Sequence, residues 1–206
     1  MLSLHSLGFS INENELFRGV SMSFLPSSIV YLKGRNGAGK SSLLRMLADI
    51  QQPSSGKITF SKDSLPIAML KKPYCTYIGH RYAIKPELTV FENISFWSKL
   101  YNSEILIDAA IMYFDLQNIL STRCLELSAG NQKKVALARL IACQSKLWLL
   151  DEVDSNLDDE AKKKLMHLII SHADNGGIAF LASHDEPEIK TAQIIDLNDY
   201  YNTNIE

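Results

Sequence analysis

The chain contains the glycine-rich segment Gly34-Arg35-Asn36-Gly37-Ala38-Gly39-Lys40-Ser41, with Ser42 directly after it. This segment matches the phosphate-loop pattern G-x-x-x-x-G-K-[ST]. Its glycines let backbone N–H groups converge on phosphate oxygens, because no Cβ stands in the way. Lys40 would add a full charge at the β- and γ-phosphates of a nucleotide, and the Ser41 hydroxyl would ligate Mg²⁺. The segment therefore predicts a site for ATP and Mg²⁺.

The flanking residues distinguish a phosphate loop from a chance glycine-rich turn. Residues 28–32 are rich in apolar side chains and predict a buried strand that runs directly into the loop. After the loop, Leu43, Leu44 and Leu47 predict the apolar face of a helix. A helix that begins near Lys40 would point its partial positive end at the same phosphates. This order of strand, loop and helix favours the phosphate loop.

The rest of the chain alternates short apolar runs with helical patterns, which predicts an α/β domain with a largely parallel sheet. Residues 57–60 alternate as a short edge strand. Between about 86 and 142 the pattern is helical, and Thr89 with Glu92 predicts a capping box at the first of these helices. We therefore expect a core of about 1–85 and 143–206, with a helical subdomain of about 86–142 inserted into it.

Length and composition limit the kinds of protein that this chain can be. With 206 residues, 46% of them hydrophobic, it has room for one globular domain with a substantial core. The net charge of −2 gives no field that would gather nucleic acid, so we expect no nucleic-acid partner. No run of about 18 apolar residues occurs. We therefore expect another chain to hold this one at any membrane where it works.

A second group of candidate residues closes an apolar strand in Leu147-Trp148-Leu149-Leu150-Asp151-Glu152. A strand buried between helices delivers its last side chains to the carboxyl edge of a parallel sheet, where ligands bind. Asp151 would hold Mg²⁺, directly or through water, and Glu152 would polarise the attacking water. Two acids also occur where a strand simply meets a solvated turn. The phosphate loop in the same chain favours the catalytic interpretation.

Three further segments distinguish among the classes of phosphate-loop protein. They read Leu127-Ser128-Ala129-Gly130-Asn131, Ser155-Asn156-Leu157-Asp158 and Ala182-Ser183-His184-Asp185. In this order they resemble the LSGGQ signature, the D-loop and the switch-histidine segment of ABC ATPases. The resemblance implies a P-loop NTPase core of the RecA-like ABC type, with an inserted helical subdomain and a small antiparallel β edge.

The resemblance also implies how these residues act. In ABC ATPases the signature of one subunit faces the γ-phosphate bound to the other, so two chains enclose two ATP molecules head to tail. We therefore expect a homodimer in which Ser128 and Gly130, at a helix N-terminus, form a second anion cradle. His184 would donate to the γ-phosphate and help to position the attacking water. Together with Lys40 and Glu152 it completes the predicted catalytic set.

Several positions depart from the family pattern, including Val153 and Asp154 in place of the usual Pro-Thr, and three of them leave alternatives open. His80 stands where the Q-loop glutamine is usual, and it could bind a metal-bound water or be a junction histidine without a role at the metal. The signature ends in Asn131 rather than glutamine. Phe9 is the aromatic residue nearest the place where a ring often stacks on adenine, but core packing is its alternative. GTP therefore remains an alternative substrate.

The departures themselves resemble one branch of the family. Ile78-Gly79-His80, residues 84–93 and Leu127-Ser128-Ala129-Gly130 look like the cytochrome c maturation ATPases, the CcmA or haem exporter type. This resemblance implies an ATP-driven step in haem delivery, either haem export or release of a haem-loaded chaperone. It also implies integral membrane subunits of a haem-handling complex as partners, and a peripheral position on the cytoplasmic face of the inner membrane. The alternatives are the ATPase of another small ABC transporter and a soluble ABC ATPase outside transport.

Overall fold

The computed structural model describes residues 1–12, 14–60, 74–79, 82–155, 157–183, 189 and 191–201. Within them the elements are, in chain order, β1 (Leu2–Ile11), β2 (Asn14–Phe24), β3 (Ile29–Lys33), α1 (Lys40–Leu47), β4 (Ser55–Phe60), β5 (Cys75–Ile78), α2 (Val90–Leu100), α3 (Ile107–Tyr113), α4 (Ala129–Ala142), β6 (Leu147–Asp151), α5 (Asp159–Asp174), β7 (Ile178–Ala182) and β8 (Gln193–Asp196). Short 3₁₀ helices lie at Glu104–Leu106, Gln117–Ile119, Cys124–Glu126 and Leu197–Tyr200.

A parallel sheet forms the centre of the fold, with strands in the order β5-β6-β7-β3-β8. Every residue of β6 and β7 is buried, as expected for strands that are covered on both faces. An antiparallel sheet in the order β2-β1-β4 lies beside it. The α/β class, the parallel sheet and the small antiparallel sheet are thus confirmed.

Successive side chains of the parallel strands enter two different hydrophobic cores, because neighbours along a strand point to opposite faces. On β6, Trp148 and Leu150 pack with α4 and α5 on one face. Leu147 and Leu149 pack with α1 and the antiparallel sheet on the other face. The sheet is therefore the middle layer of the fold.

The elements within residues 86–142 are helices of the α and 3₁₀ types, as the sequence pattern predicts. The capping box is confirmed: the Thr89 side chain accepts from the backbone N–H of Glu92, and the Glu92 carboxylate accepts from the backbone N–H of Thr89. The division into a core and a helical subdomain at 86 and 142 stays a prediction. Among the described residues, no helix combines the length and apolar character needed to cross a bilayer.

Candidate nucleotide site

The phosphate loop connects the end of β3 to the first turn of α1. Gly37 and Gly39 adopt positive φ values of 81° and 100°, which glycine reaches without steric cost. A Cβ on Gly39 would also lie 2.8 Å from the ring of Phe17. The buried aromatic side chain and the backbone conformation therefore both require glycine at the N-cap of α1.

Lys40 is held against the loop rather than extended into solvent. Its ammonium donates to the backbone oxygens of Gly34 at 2.7 Å and Arg35 at 3.3 Å, and the residue is only 7% exposed. These bonds keep a full positive charge beside the N–H groups of the loop and the N-terminus of α1. The three features together favour the binding of a polyphosphate.

Ser41 and Asp151 come together from distant parts of the sequence. The Ser41 hydroxyl donates to Oδ1 of Asp151 at 3.0 Å, and the Tyr77 hydroxyl donates to Oδ2 at 3.3 Å. Burial raises the pKa of Asp151, while the hydrogen bond from Ser41 lowers it. A hydroxyl and a carboxylate in contact are hard oxygen donors of the kind that Mg²⁺ prefers, so these residues fit that ion.

Tyr77 is a site residue that sequence reasoning missed. It lies on β5, where it pairs with Leu149 of β6, two residues before Asp151. Its hydroxyl reaches the predicted metal ligand because the side chains of Leu149 and Asp151 share one face of the sheet.

Glu152 follows β6 with a positive φ of 54°, which is unusual for a residue that carries a Cβ. Its backbone N–H donates to the Ala182 carbonyl at 2.8 Å, which ties it to the end of β7. The residue lines the same cavity as the phosphate loop. This cavity has a volume of about 460 Å³, and the described residues that line it are Ile11, Leu16, Asn36, Gly37, Gly39, Lys40, Ser41, Ser42 and Glu152.

The described residues of β1 and β2 that line this cavity are aliphatic. Ile11, 48% exposed, and Leu16 line it. Phe9 is 8% exposed, belongs to the core beside Phe17 and does not line the cavity. The structure therefore favours core packing for Phe9 over stacking on a base.

Comparison with known proteins agrees with this geometry. The family model described as ABC transporter matches residues 17–155. A curated protein of Rickettsia bellii, "Cytochrome c biogenesis ATP-binding export protein CcmA", is 55% identical over 96% of this chain and 100% of its own length. The chain belongs to the CcmA family of ABC ATPases.

Solved structures support the fold of this CcmA family member. A putative ABC transporter ATP-binding protein from Pyrococcus furiosus superposes with a TM-score of 0.84 at 20% identity, covering 98% of this chain and 99% of its own. A dimeric ATP-binding cassette bound to ADP and Pi superposes with a TM-score of 0.81 at 19% identity, covering 95% of this chain and 94% of its own. At these identities the likeness establishes the ABC fold.

The signature segment of this CcmA family member lies outside the cavity of its own chain. Ser128 is the N-cap of α4, and its hydroxyl accepts from the backbone N–H of Asn131 at 3.3 Å. Ser128 is exposed and Gly130 is half-buried, and neither lines the cavity. This placement leaves the helix N-terminus open to a ligand held by another chain.

Two predicted site residues, His80 and His184, lie outside the described residues. Their roles at the metal-bound water and the γ-phosphate therefore stay predictions. The residue before His184 is described: the Ser183 hydroxyl donates to Oδ2 of Asp154 at 2.6 Å. This bond links the end of β7 to the segment that follows Glu152.

Proposed function

We propose that the chain is the ATP-hydrolysing subunit of an ABC transporter complex for cytochrome c biogenesis, acting in haem export or in ATP-driven release of a haem-loaded chaperone. One observation carries this role: the identity to the rickettsial CcmA protein extends over the whole of that protein and nearly all of this chain. Full-length similarity of this degree supports the same place in a complex, and not only the same fold.

Hydrolysis is assigned to the cavity between the phosphate loop and the end of β6. Lys40 and the loop N–H groups bind and neutralise the triphosphate. Ser41 and Asp151 would hold Mg²⁺, which when bound neutralises charge on the phosphate oxygens. Glu152 orients the attacking water and accepts its proton. Phe9 packs in the core, so Ile11 and Leu16 would contact the base in its place.

The proposal includes a head-to-tail homodimer. In one chain the cavity lacks Ser128 and Gly130, and those residues are accessible at the start of α4. A partner chain would supply them to the γ-phosphate, so that ATP is enclosed by donors from both chains. Because these contacts depend on the γ-phosphate, the dimer would close with ATP and reopen after hydrolysis.

The proposal also includes integral membrane subunits as partners, at the cytoplasmic face of the inner membrane. The helical residues between 86 and 142 expose several large apolar side chains, with Ile105 at 91%, Met112 at 65% and Leu100 at 51%. Exposed apolar groups of this kind support docking to another protein.

Affinity purification of the tagged full-length chain from membranes tests this function. Co-purification of multi-spanning haem-handling subunits, together with ATP hydrolysis by the purified complex, is the expected result. An Ile105→Asp variant should lose these partners, whereas Ile170→Asp, a matched change of an apolar residue that is 39% exposed on α5, should keep them. Co-purification of ribosomal proteins instead would favour a soluble ABC ATPase outside transport.

A further inference from the structure

Lys133 is a lysine with no solvent exposure, and it lies outside the nucleotide cavity. It is in the first turns of α4, three residues after Gly130 of the signature segment. Lysine is almost never fully buried unless its ammonium is paired with acceptors. The acceptors that Lys133 contacts therefore indicate what it does.

The Lys133 ammonium reaches the backbone that follows β6. It donates to the carbonyl oxygen of Glu152 at 3.2 Å and to the Ser155 hydroxyl at 2.8 Å, and it also donates to the carbonyl oxygen of Ser155. The Ser155 hydroxyl in turn donates to the carbonyl oxygen of Glu152 at 3.0 Å. The carbonyl of Glu152 is thus held directly by Lys133 and indirectly through Ser155.

This carbonyl belongs to a residue with an unfavourable backbone conformation. A non-glycine residue with φ of 54°, as at Glu152, keeps that conformation only where its surroundings determine it. Here both backbone polar groups are fixed, the N–H by Ala182 and the carbonyl by Lys133 and Ser155. The direction in which the Glu152 carboxylate enters the cavity therefore depends on Lys133.

We infer that Lys133, on α4, is a positioning residue for ATP hydrolysis, because its ammonium holds the backbone of Glu152. This inference rests on the proposed function, in which Glu152 is the base and Ser128 contacts the ATP of the partner chain. Lys133 then links the two ATP sites. The N-terminus of α4 lies at the ATP of the partner chain, and the Lys133 ammonium holds Glu152, the catalytic base for the ATP of its own chain. A shift of α4 when the partner's nucleotide binds would move Glu152.

The test compares the full-length wild type, Lys133→Met and Lys164→Met for ATP affinity, kcat and thermal unfolding. Lys164 is a matched control, because its ammonium also joins two parts of the chain, through Asp115 and Glu160, and neither of these contacts involves Glu152. Lys133→Met should bind ATP within about twofold of the wild type while kcat falls about 10- to 100-fold, the effect of a slightly misplaced catalytic group. Lys133→Arg, which restores charged donors, should recover part of kcat, and Lys164→Met should keep it.

The outcomes separate this inference from the proposed function. A wild type that binds ATP without hydrolysing it, also as the purified complex, would contradict the proposed function. If the wild type hydrolyses ATP and the Lys133→Met variant has the same kcat, the inference is overturned and the proposed function stands. Equal losses of kcat in Lys133→Met and Lys164→Met would also overturn the inference, because that result would mean that both substitutions reduce kcat by destabilising the fold in general.

If Lys133→Met does not fold, the Ser155→Ala variant tests the same inference. It removes only the hydroxyl that relays to the Glu152 carbonyl, so kcat should fall about 2- to 10-fold at unchanged ATP affinity. An unchanged kcat in Ser155→Ala would overturn the inference.

Discussion

Replacing Lys40 by methionine removes a full charge that the phosphate loop holds against its own backbone. Methionine keeps the length and the apolar stem of lysine, so the substitution isolates the ammonium. In the free chain it removes donors to the carbonyls of Gly34 and Arg35, which lie 2.7 and 3.3 Å from Nζ. In the nucleotide complex it removes the charge that faces the triphosphate.

The size of the effect follows from hydrogen bonds to charged groups, which contribute about 1.5–3 kcal/mol each. Loss of one such bond to phosphate weakens ATP binding about 10- to 150-fold, since 1.4 kcal/mol is tenfold. At an ATP concentration of about 100 times the wild-type Kd, binding stabilises the wild type by about 2.7 kcal/mol. At the same concentration, the Lys40→Met variant gains only about 0.3–1.4 kcal/mol.

Thermal unfolding with and without MgATP measures this difference. For a chain of this size 1 kcal/mol corresponds to a Tm change of about 2–4 °C, so ATP should raise the wild-type Tm by about 5–11 °C and that of Lys40→Met by about 1–6 °C. Lys163→Met, a change of an exposed lysine on α5, is the control and should respond like the wild type. A Lys40→Met variant with an ATP affinity within twofold of the wild type would refute the assignment of the loop.

Four other substitutions test separate parts of the account. Glu152→Gln should retain ATP binding, lose turnover and accumulate as an ATP-bound dimer, as measured by phosphate release and sedimentation; normal turnover would exclude Glu152 as the base. Ile11→Tyr should tighten ATP relative to the wild type in competition binding, because a ring adds stacking at an aliphatic base end; no change would place the base elsewhere. Thr89→Ala should lower the free energy of unfolding by about 1 kcal/mol in urea through loss of the N-cap bond, and an unaffected midpoint would contradict the cap. Burial lowers the pKa of His172 to about 4 from 6.5, so its folded state resists protonation and stability falls as pH drops from about 6.5 to 4; His172→Phe, which keeps a ring against Trp148, should flatten that fall in urea unfolding across this pH range.

The sequence was sufficient to predict that Ser41 and Asp151 lie at one site. A strand that ends in a phosphate loop and a strand that ends in two acids deliver those residues to the same edge of a parallel sheet, whatever the order of the strands between them. The capping box at Thr89 was equally predictable, because its partners lie within one helical turn.

The residues that sequence reasoning missed depend on long-range packing. Tyr77 reaches Asp151 only because β5 is the neighbour of β6. No local sequence pattern predicts the order of strands in a sheet. Lys133 is one of several polar residues on α4, and its acceptors lie 19 and 22 residues away along the chain. Neither contact has a spacing that identifies it in advance.

Phe9 shows how a local irregularity changes the side chain that faces a site. The pairing of β1 with β2 shifts register between Leu7 and Phe9 and again between Phe9 and Ser10. Each shift interrupts the alternation of side chains along the strand. Phe9 consequently packs in the core, while Ile11 reaches the cavity.

Mixing two inactive variants tests whether each ATP is enclosed by two chains. In a Glu152→Gln background, neither Lys40→Met, which lacks the loop charge, nor Ser128→Arg, which blocks the signature, should form dimers with ATP when it is alone in solution. Together they should form heterodimers in sedimentation experiments, because the loop of one variant and Ser128 of the other rebuild a complete site. Absence of heterodimers in the mixture, or full ATP-dependent dimerisation of Ser128→Arg by itself, would contradict a site shared between two chains.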